Sequence, residues 1–379
     1  MTRFATLPKH GVMPPPIRVG LIGCGKISDQ YFAGCARYEF IRVVACADLD
    51  LARAQAKAAE HGIRALSVEQ LLADPEIDLV VNLTVPRAHA AVNTAALNAG
   101  KHVYTEKPFA LHAADGAAVL ELARRQRLLV GCAPDTFLGG GLQTARKLID
   151  DGRIGRPVSA LAFMLCPGHE SWHPSPQFYY EPGGGPMLDM GPYYITALIN
   201  FLGPVVRVSG SAQAAYQERT ITSQPLAGTK IPVQVPTHVA GVMDFASGAT
   251  ATIVTSFDTW PYPLPPLLVF GTEGTIEAPD PNRFDGAVRL RRGAVDAYEE
   301  VPHSHTTDRG RGSGVADLAR SIQRPGRPVR ASGELAQHVL EVMEAFEASS
   351  RTGRHIQISS TCARPPALPV GLSAAEIDA

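Results

Sequence analysis

From Ile17 to Pro134 the chain alternates short apolar runs with alanine-rich stretches of mixed polarity. The runs start at Ile17 (IRVGLIG), Ile41 (IRVVACAD), Leu79 (LVVNLTVP), His102 (HVYTEKP) and Leu128 (LLVGCAP). They are continuously apolar and β-branched, as strands buried on both faces of a parallel sheet must be. The stretches between them have helical spacing. LARAQAKAAEHG stops at Gly62, which suits a left-handed helix end. Ser67 and Gln70 frame a capping box for the next helix, and Gly100 closes PRAHAAVNTAALNAG. Repeated strand–helix units of this kind predict an α/β fold that begins with a doubly wound parallel sheet, a Rossmann domain over residues 17–134.

After Pro134 the pattern changes. A helix is expected at LQTARKLIDDG and a strand at VSALAFMLC, followed by a loop rich in proline, histidine and aromatics, a glycine cluster and the apolar helix MLDMGPYYITALINFLG. From Val205 to about Val301 the strands read as antiparallel, with THVAGVMDFASGATATIVTSFDT folding about a Ser-Gly turn. Two helices follow, near 315–323 and 334–350. The expected division is a flexible lead-in over 1–16, the Rossmann domain over 17–134, an α+β substrate-binding domain with a mainly antiparallel sheet over 135–360, and a loose tail over 361–379.

Composition narrows the function. A hydrophobic fraction of 45% and a charged fraction of 19% are those of a globular protein, and the formal net charge of −1 gives no field that would attract nucleic acid or an anionic membrane. No apolar run reaches transmembrane length. None of the six cysteines forms a metal-binding or redox pair, and their apolar settings suit reduced thiols. The chain reads as soluble and cytoplasmic, with no nucleic acid or membrane partner and no metal site. A broad sheet face in the second domain would favour a homo-oligomer.

The first strand runs directly into Gly23-Cys24-Gly25-Lys26-Ile27-Ser28, a tight turn opening a helix. Gly23 and Gly25 let backbone N–H groups of the turn, with Lys26 and Ile27, approach a pyrophosphate at the helix N-terminus. Ser28 stands where the full fingerprint has a third glycine. Asp48, at the end of the second strand and twenty-three residues beyond Gly25, can accept hydrogen bonds from the ribose hydroxyls and would repel a 2′-phosphate. NAD is therefore expected over NADP, with nearby Arg53 weakening the distinction.

Two further motifs carry chemistry. Glu106-Lys107-Pro108 ends a strand at the ligand-binding edge of the sheet, and Gly183-Gly184-Gly185-Pro186-Met187-Leu188-Asp189-Met190-Gly191-Pro192-Tyr193-Tyr194 opens the long second-domain helix. Together with GCGKIS and NLTVPRAHA (Asn82 to Ala90), these motifs make the chain, from about Ile17 to Ser350, resemble the Gfo/Idh/MocA family of sugar and inositol oxidoreductases. The resemblance implies that Thr84, Pro86, His89 and Glu106 line the cofactor, that Lys107 orders the reacting hydroxyl beside the nicotinamide, and that Asp189 positions substrate hydroxyls. On their own surroundings, His89 and His238 read as structural or substrate-rim residues.

A desolvated lysine in a cleft has a lowered pKa and can relay a proton; alternatively, Glu106 simply pairs with Lys107 at the surface. Where the family carries a histidine four residues after the aspartate, this chain has Tyr193. Lys107 could lower the pKa of Tyr193, or the ring could be core packing with a satisfied hydroxyl. The loop Gly168-His169-Glu170-Ser171-Trp172-His173-Pro174 offers His169 or His173 as an alternative base and Trp172 as a stacking surface for a sugar, with Tyr194 a further substrate contact. Metal binding by the two histidines lacks a third ligand.

The leading reading is an NAD-dependent dehydrogenase that transfers a hydride to or from a carbinol carbon of a sugar, cyclitol or glycoside, forming a 3-keto product in one version. The alternatives are a redox-neutral glycoside hydrolase working through C3 oxidation and elimination, and a nucleotide-sensing regulator.

Overall fold

A computed structural model describes residues 14–260, 263–294 and 297–378. Most of the expected lead-in lies outside the described residues. The first half builds β1 (Ile17–Ile22), α1 (Ser28–Cys35), β2 (Ile41–Ala47), α2 (Leu51–His61), β3 (Arg64–Leu66), α3 (Val68–Ala73), β4 (Leu79–Asn82), α4 (His89–Asn98), β5 (His102–Thr105), α5 (Ala113–Gln126) and β6 (Val130–Cys132). All six strands are parallel, in the order β3-β2-β1-β4-β5-β6. This is the doubly wound order, in which ligands bind beyond the carboxyl ends of the strands.

Local chemistry sets the helix ends. The Asp50 carboxylate accepts the N–H groups of Ala52 and Arg53 at the start of α2, and Gly62 ends that helix at φ 65°. Ser67 and Gln70 form the reciprocal capping box of α3.

The second half adds α6 (Gly140–Asp150), β7 (Pro157–Leu165), α7 (Gly185–Leu202), β8 (Val205–Gln213), the small pair β9 (Glu218–Thr220) and β10 (Lys230–Pro232), β11 (His238–Phe245), β12 (Thr250–Ser256), β13 (Leu267–Gly271), β14 (Gly274–Ala278), β15 (Val288–Arg292), β16 (Glu299–Val301), α8 (Ser313–Gln323), α9 (Gly333–Thr352) and β17 (Ile356–Gln357). The large sheet runs β16-β15-β14-β13-β7-β12-β11-β8-β17. Only its β7–β12 pairing is parallel; the expected hairpin is β11–β12, with His238 opposite Ser256. α7, the helix carrying Asp189, and α9 pack together on this sheet, and α9 also meets α5 and β6 of the first half. α8 instead returns to the first half, against α1, β5 and β6.

The closing segment differs from the loose tail expected over 361–379. Cys362, Leu368 and Ile377 are buried, and the Asp378 carboxylate lies 2.6 Å from Arg327 and 3.3 Å from Arg330. Three apolar anchors and an ion-pair cluster with buried Asp317 hold it to the body, which proline and alanine content alone does not reveal.

The contact between α1 and the turn before α8 is unusually close. A Cβ added at Gly34 would fall 1.7 Å from the carbonyl oxygen of Arg311 and 2.8 Å from its carbon. Both partners are backbone, so no rotamer change relieves the clash. Gly34→Ala is expected to destabilise the protein by roughly 1–3 kcal/mol, as overpacking does, read as a lower thermal midpoint by calorimetry. An unchanged midpoint would show that the two segments separate freely.

Candidate functional site

The candidate site lies along the carboxyl edge of the parallel sheet. Gly23 has φ 102°, and a Cβ there would meet the Leu83 backbone at 2.7 Å, so the turn after β1 presses on the turn after β4. The Cys24 N–H donates to Asp48 Oδ2 at 2.8 Å and the Asp50 N–H to Oδ1 at 2.9 Å. Asp48 is thus fixed at the end of β2, with Arg53 3.9 Å away. The start of α1 has no side-chain cap, Lys26 is exposed, and a Cβ at Gly25 would meet nothing within 4 Å. Uncapped N–H groups beside open space fit a pyrophosphate. Ser28, in place of the third glycine, is buried and donates its hydroxyl to Gly25 O at 2.7 Å, closing the turn rather than blocking it.

After β4, Asn82 Oδ1 accepts both the N–H and the hydroxyl of Thr84, and Pro86 begins a single 3-10 turn. His89 is buried, with Nδ1 2.7 Å from Pro108 O and Nε2 2.9 Å from Thr84 O. Both ring nitrogens are used by the protein, so His89 ties the Thr84 loop to the Lys107-Pro108 loop, whose peptide bond is cis.

The reacting-group candidates converge across the two halves. The Lys107 ammonium donates to Asp189 Oδ1 at 2.9 Å and to Asp189 O at 2.7 Å. Glu106 does not pair with that ammonium: it accepts the Tyr31 hydroxyl at 2.8 Å and the Lys107 backbone N–H at 2.9 Å. Burial lowers the pKa of Lys107, but the negative charges of Asp189 and Glu106 outweigh it and raise the pKa well above its usual value. The lowered pKa expected from desolvation is therefore corrected: the lysine is held as a cation.

Tyr193, one turn beyond Asp189, is buried with its ring centroid 5.2 Å from the Lys107 ammonium. Burial raises the pKa of its phenol, and the opposing pull of Lys107 and Arg311 only moderates the rise. The expected lowering is corrected too, and the phenol stays protonated. Tyr194 is buried, and burial together with the charge of Asp280 raises the pKa of its phenol.

The 166–180 loop brings His169 close. Burial lowers its pKa against the opposing charge of Asp189, and neither ring nitrogen has a protein partner. Its ring packs 4.0 Å from Tyr179, 4.5 Å from Phe257 and 5.3 Å from Trp172. Trp172 is 60% exposed beside it, while His173 packs edge-on to Trp172 and accepts the Ser175 N–H. Among the described residues the one group of possible metal ligands, Asp29, Glu60 and His61, is exposed, and both its acids pair with Lys57.

Three participants escaped the sequence reading. Arg311 donates to the Tyr193 hydroxyl at 3.0 Å and approaches Glu106 at 4.0 Å. Asp135, fully buried after the cis Ala133-Pro134 bond, accepts the N–H groups of Gly312 and Gly314 at 2.9 and 3.0 Å and so anchors the turn carrying Arg311. Tyr179 has its phenol pKa pushed up to about 12 by burial and the charge of Asp189. The glycines around Arg311 marked a turn, but nothing in the spacing joined it to a tyrosine 118 positions away.

Residues 17–133 match the family model "Oxidoreductase family, NAD-binding Rossmann fold", and residues 142–277 match "GFO/IDH/MocA C-terminal domain". The chain belongs to the Gfo/Idh/MocA family. It is 34% identical over 178 residues to a 1,5-anhydro-D-fructose reductase of Ensifer adhaerens, a match covering 46% of this chain and 53% of that protein. It is 34% identical over 213 residues to a dTDP-3,4-didehydro-2,6-dideoxy-alpha-D-glucose 3-reductase of Saccharopolyspora spinosa, covering 54% and 62%. The matches thus span little more than half the length of these curated relatives. An NAD binding oxidoreductase from Klebsiella pneumoniae has the same fold, with a TM-score of 0.80 at 24% identity over 91% of this chain and 100% of that one. Among the described residues no helix is long and apolar enough to cross a membrane.

Asp135 makes the site's anchoring testable by pH. Burial raises its pKa to about 6 from an ordinary 3.8, against the pull of Arg311 and the two N–H bonds. An acid with a raised folded pKa favours the protonated fold, so its contribution is fully present below about pH 4 and is lost as the pH rises through 6. Asp135→Asn lacks this ionisation, so its stability relative to the parent is expected to rise by up to about 3 kcal/mol between pH 4 and 6. Denaturant melts across that range check this; a constant difference would mean that Asp135 ionises normally.

Proposed function

We propose that this protein is an NAD-dependent oxidoreductase that exchanges a hydride between the nicotinamide and a carbinol or carbonyl carbon of a sugar, cyclitol or related glycoside. The observation that carries the reading is the Lys107 ammonium, held by Asp189 at 2.9 Å at the ligand-binding edge of the sheet. The cofactor, when bound, supplies or takes the hydride. Gly23, Gly25, Lys26 and Ile27 would hold its pyrophosphate and Asp48 a ribose, with Thr84, Pro86 and Glu106 forming the remaining wall. His89 supports that wall from behind.

The protein's own groups handle the oxygen. Lys107 donates to the substrate oxygen and stabilises the negative charge that grows there during carbonyl reduction. Asp189 orients Lys107 and accepts from a neighbouring hydroxyl. Tyr193 exchanges the proton, and neutral His169 accepts from a further hydroxyl. Trp172, with His173 beside it, gives the sugar's C–H face an aromatic surface. Two protonated groups around the reacting oxygen suit a carbonyl ground state, and both curated relatives described above are named as reductases.

NAD is preferred over NADP because the fixed Asp48 carboxylate would repel a 2′-phosphate, while half-exposed Arg53 offsets only part of that charge.

The test mixes purified protein with each reduced and oxidised cofactor and a panel of keto-sugars, polyols, aldoses and aryl glycosides. Nicotinamide absorbance is followed together with chromatography. Cofactor-dependent reduction or oxidation of a sugar supports the reading, and Lys107→Met is expected to slow it by roughly 10²–10⁴-fold with cofactor binding intact. Aglycone release without net cofactor change would replace it with redox-neutral hydrolysis; cofactor binding without any turnover would favour a sensor. Asp48→Ala is expected to raise the NADPH/NADH ratio of kcat/KM about tenfold, or ~1.4 kcal/mol. An unmoved ratio would remove Asp48 from cofactor selection.

A further inference from the structure

Arg311 Nη2 lies 3.0 Å from the Tyr193 hydroxyl oxygen and 3.2 Å from Asn282 Oδ1. Its guanidinium carbon stands 5.6 Å from the Tyr193 ring centroid, which the Lys107 ammonium approaches to 5.2 Å. Nη1 is buried without a hydrogen-bond partner, 4.0 Å from Glu106 Oε1. The arginine is thus placed by contacts from four sides: Asp135 holding its turn, Gly34 packed on its carbonyl, Glu106 opposite its charge, and Tyr193 at its tip.

A guanidinium only donates hydrogen bonds, at any pH a protein survives. The bond between these residues therefore runs from Arg311 to the phenol oxygen, so the phenol's own hydrogen cannot point at Arg311. Among the described residues the Tyr193 oxygen has no other hydrogen-bond partner. The one hydrogen of Tyr193 is left for whatever oxygen occupies the cleft.

We propose that Arg311 is a positioning residue that fixes Tyr193 as the proton donor of the reaction and stabilises the phenolate left behind. The inference deepens the proposed function and rests on it for its substrate. In the reducing direction the hydride of the reduced nicotinamide forms the new C–H bond, and the carbonyl π electrons move to oxygen. The O–H bond of Tyr193 breaks as its proton passes to that oxygen, and the phenolate is reprotonated from solvent. Oxidation runs the same steps in reverse. The Arg311 hydrogen bond survives in both protonation states of Tyr193 and is stronger to the phenolate, as bonds to charged acceptors are. The arrangement replaces the histidine expected four residues after the aspartate with a tyrosine–arginine pair assembled from distant segments.

The test has two arms. In the first, protein labelled with ¹³C at the tyrosine ζ carbons is titrated without substrate or cofactor, and the Tyr193 resonance is assigned by its loss in Tyr193→Phe. The Tyr193 midpoint is expected to move up by about one pH step, a tenfold change in the ionisation constant, in Arg311→Met and by less in Arg311→Lys. In the second, kcat is measured for Arg311→Met, Tyr193→Phe and the double variant. Arg311→Met is expected to lower kcat about tenfold or more in the parent and to have no further effect in the Tyr193→Phe background. It is also expected to move the kcat–pH profile for oxidation to higher pH. Arg311→Lys, which keeps a cation, restores part of kcat, and its thermal midpoint reports whether the fold is intact. The same loss in both backgrounds, or an unmoved Tyr193 resonance, overturns the proposal. If the parent turns over no sugar, the functional reading fails while the titration still decides the role of Arg311.

Discussion

Lys107 and Asp189 come from different halves of the chain, and their ion pair closes the candidate cleft from both sides. An ammonium taken this far out of water would give up its proton without a counter-charge. With the Asp189 carboxylate against it and Glu106 near, it stays a cation. Its remaining neighbours answer to that charge. Glu106 is turned away from the ammonium and fixed by Tyr31 and the backbone, His169 is kept neutral by burial, and the ring of Tyr193 lies between two cations. Burial keeps His169 and Tyr193 neutral, while counter-charge keeps Lys107 a cation.

The first half was readable because its determinants are local. A glycine turn, an acid at a strand end, a capping box and a helix-ending glycine each lie within a few residues of what they control, and the structure reproduces them one by one. Lys107, Asp189 and Tyr193 were readable as positions because two of them share one helix face and the third ends a strand. Their electrostatics were not. Counting burial alone misses a counter-charge 82 positions away, so the direction for Lys107 came out reversed. For Tyr193 one cation was counted and the burial was not. Arg311, Asp135 and Tyr179 enter the site through turns and a loop, where no periodicity marks which side chain faces inward. The same holds for the closing segment, whose anchors are single apolar residues spread along a stretch rich in proline and alanine.

The family supplies a frame in which the turn after β1, the Lys107 loop and the start of α7 are brought to one edge. Two further segments reach the same edge: the 166–180 loop with its histidine–aromatic packing, and the turn before α8 that delivers an arginine. These segments are separate stretches of chain and meet only through folding. The loop can therefore change without disturbing the lysine, whose side-chain partner Asp189 sits on the long helix α7.

The contact of Gly34 with the Arg311 carbonyl links two distant parts of the fold. A helix that faces a cofactor phosphate would ordinarily be free to change on its far side. Here the far side of α1 sets the path of the turn that supplies an arginine to a tyrosine in the other half of the fold. A side chain at this position would push that turn aside and carry the arginine with it. A glycine whose close contacts are with backbone alone thus helps to fix where the arginine's charge falls.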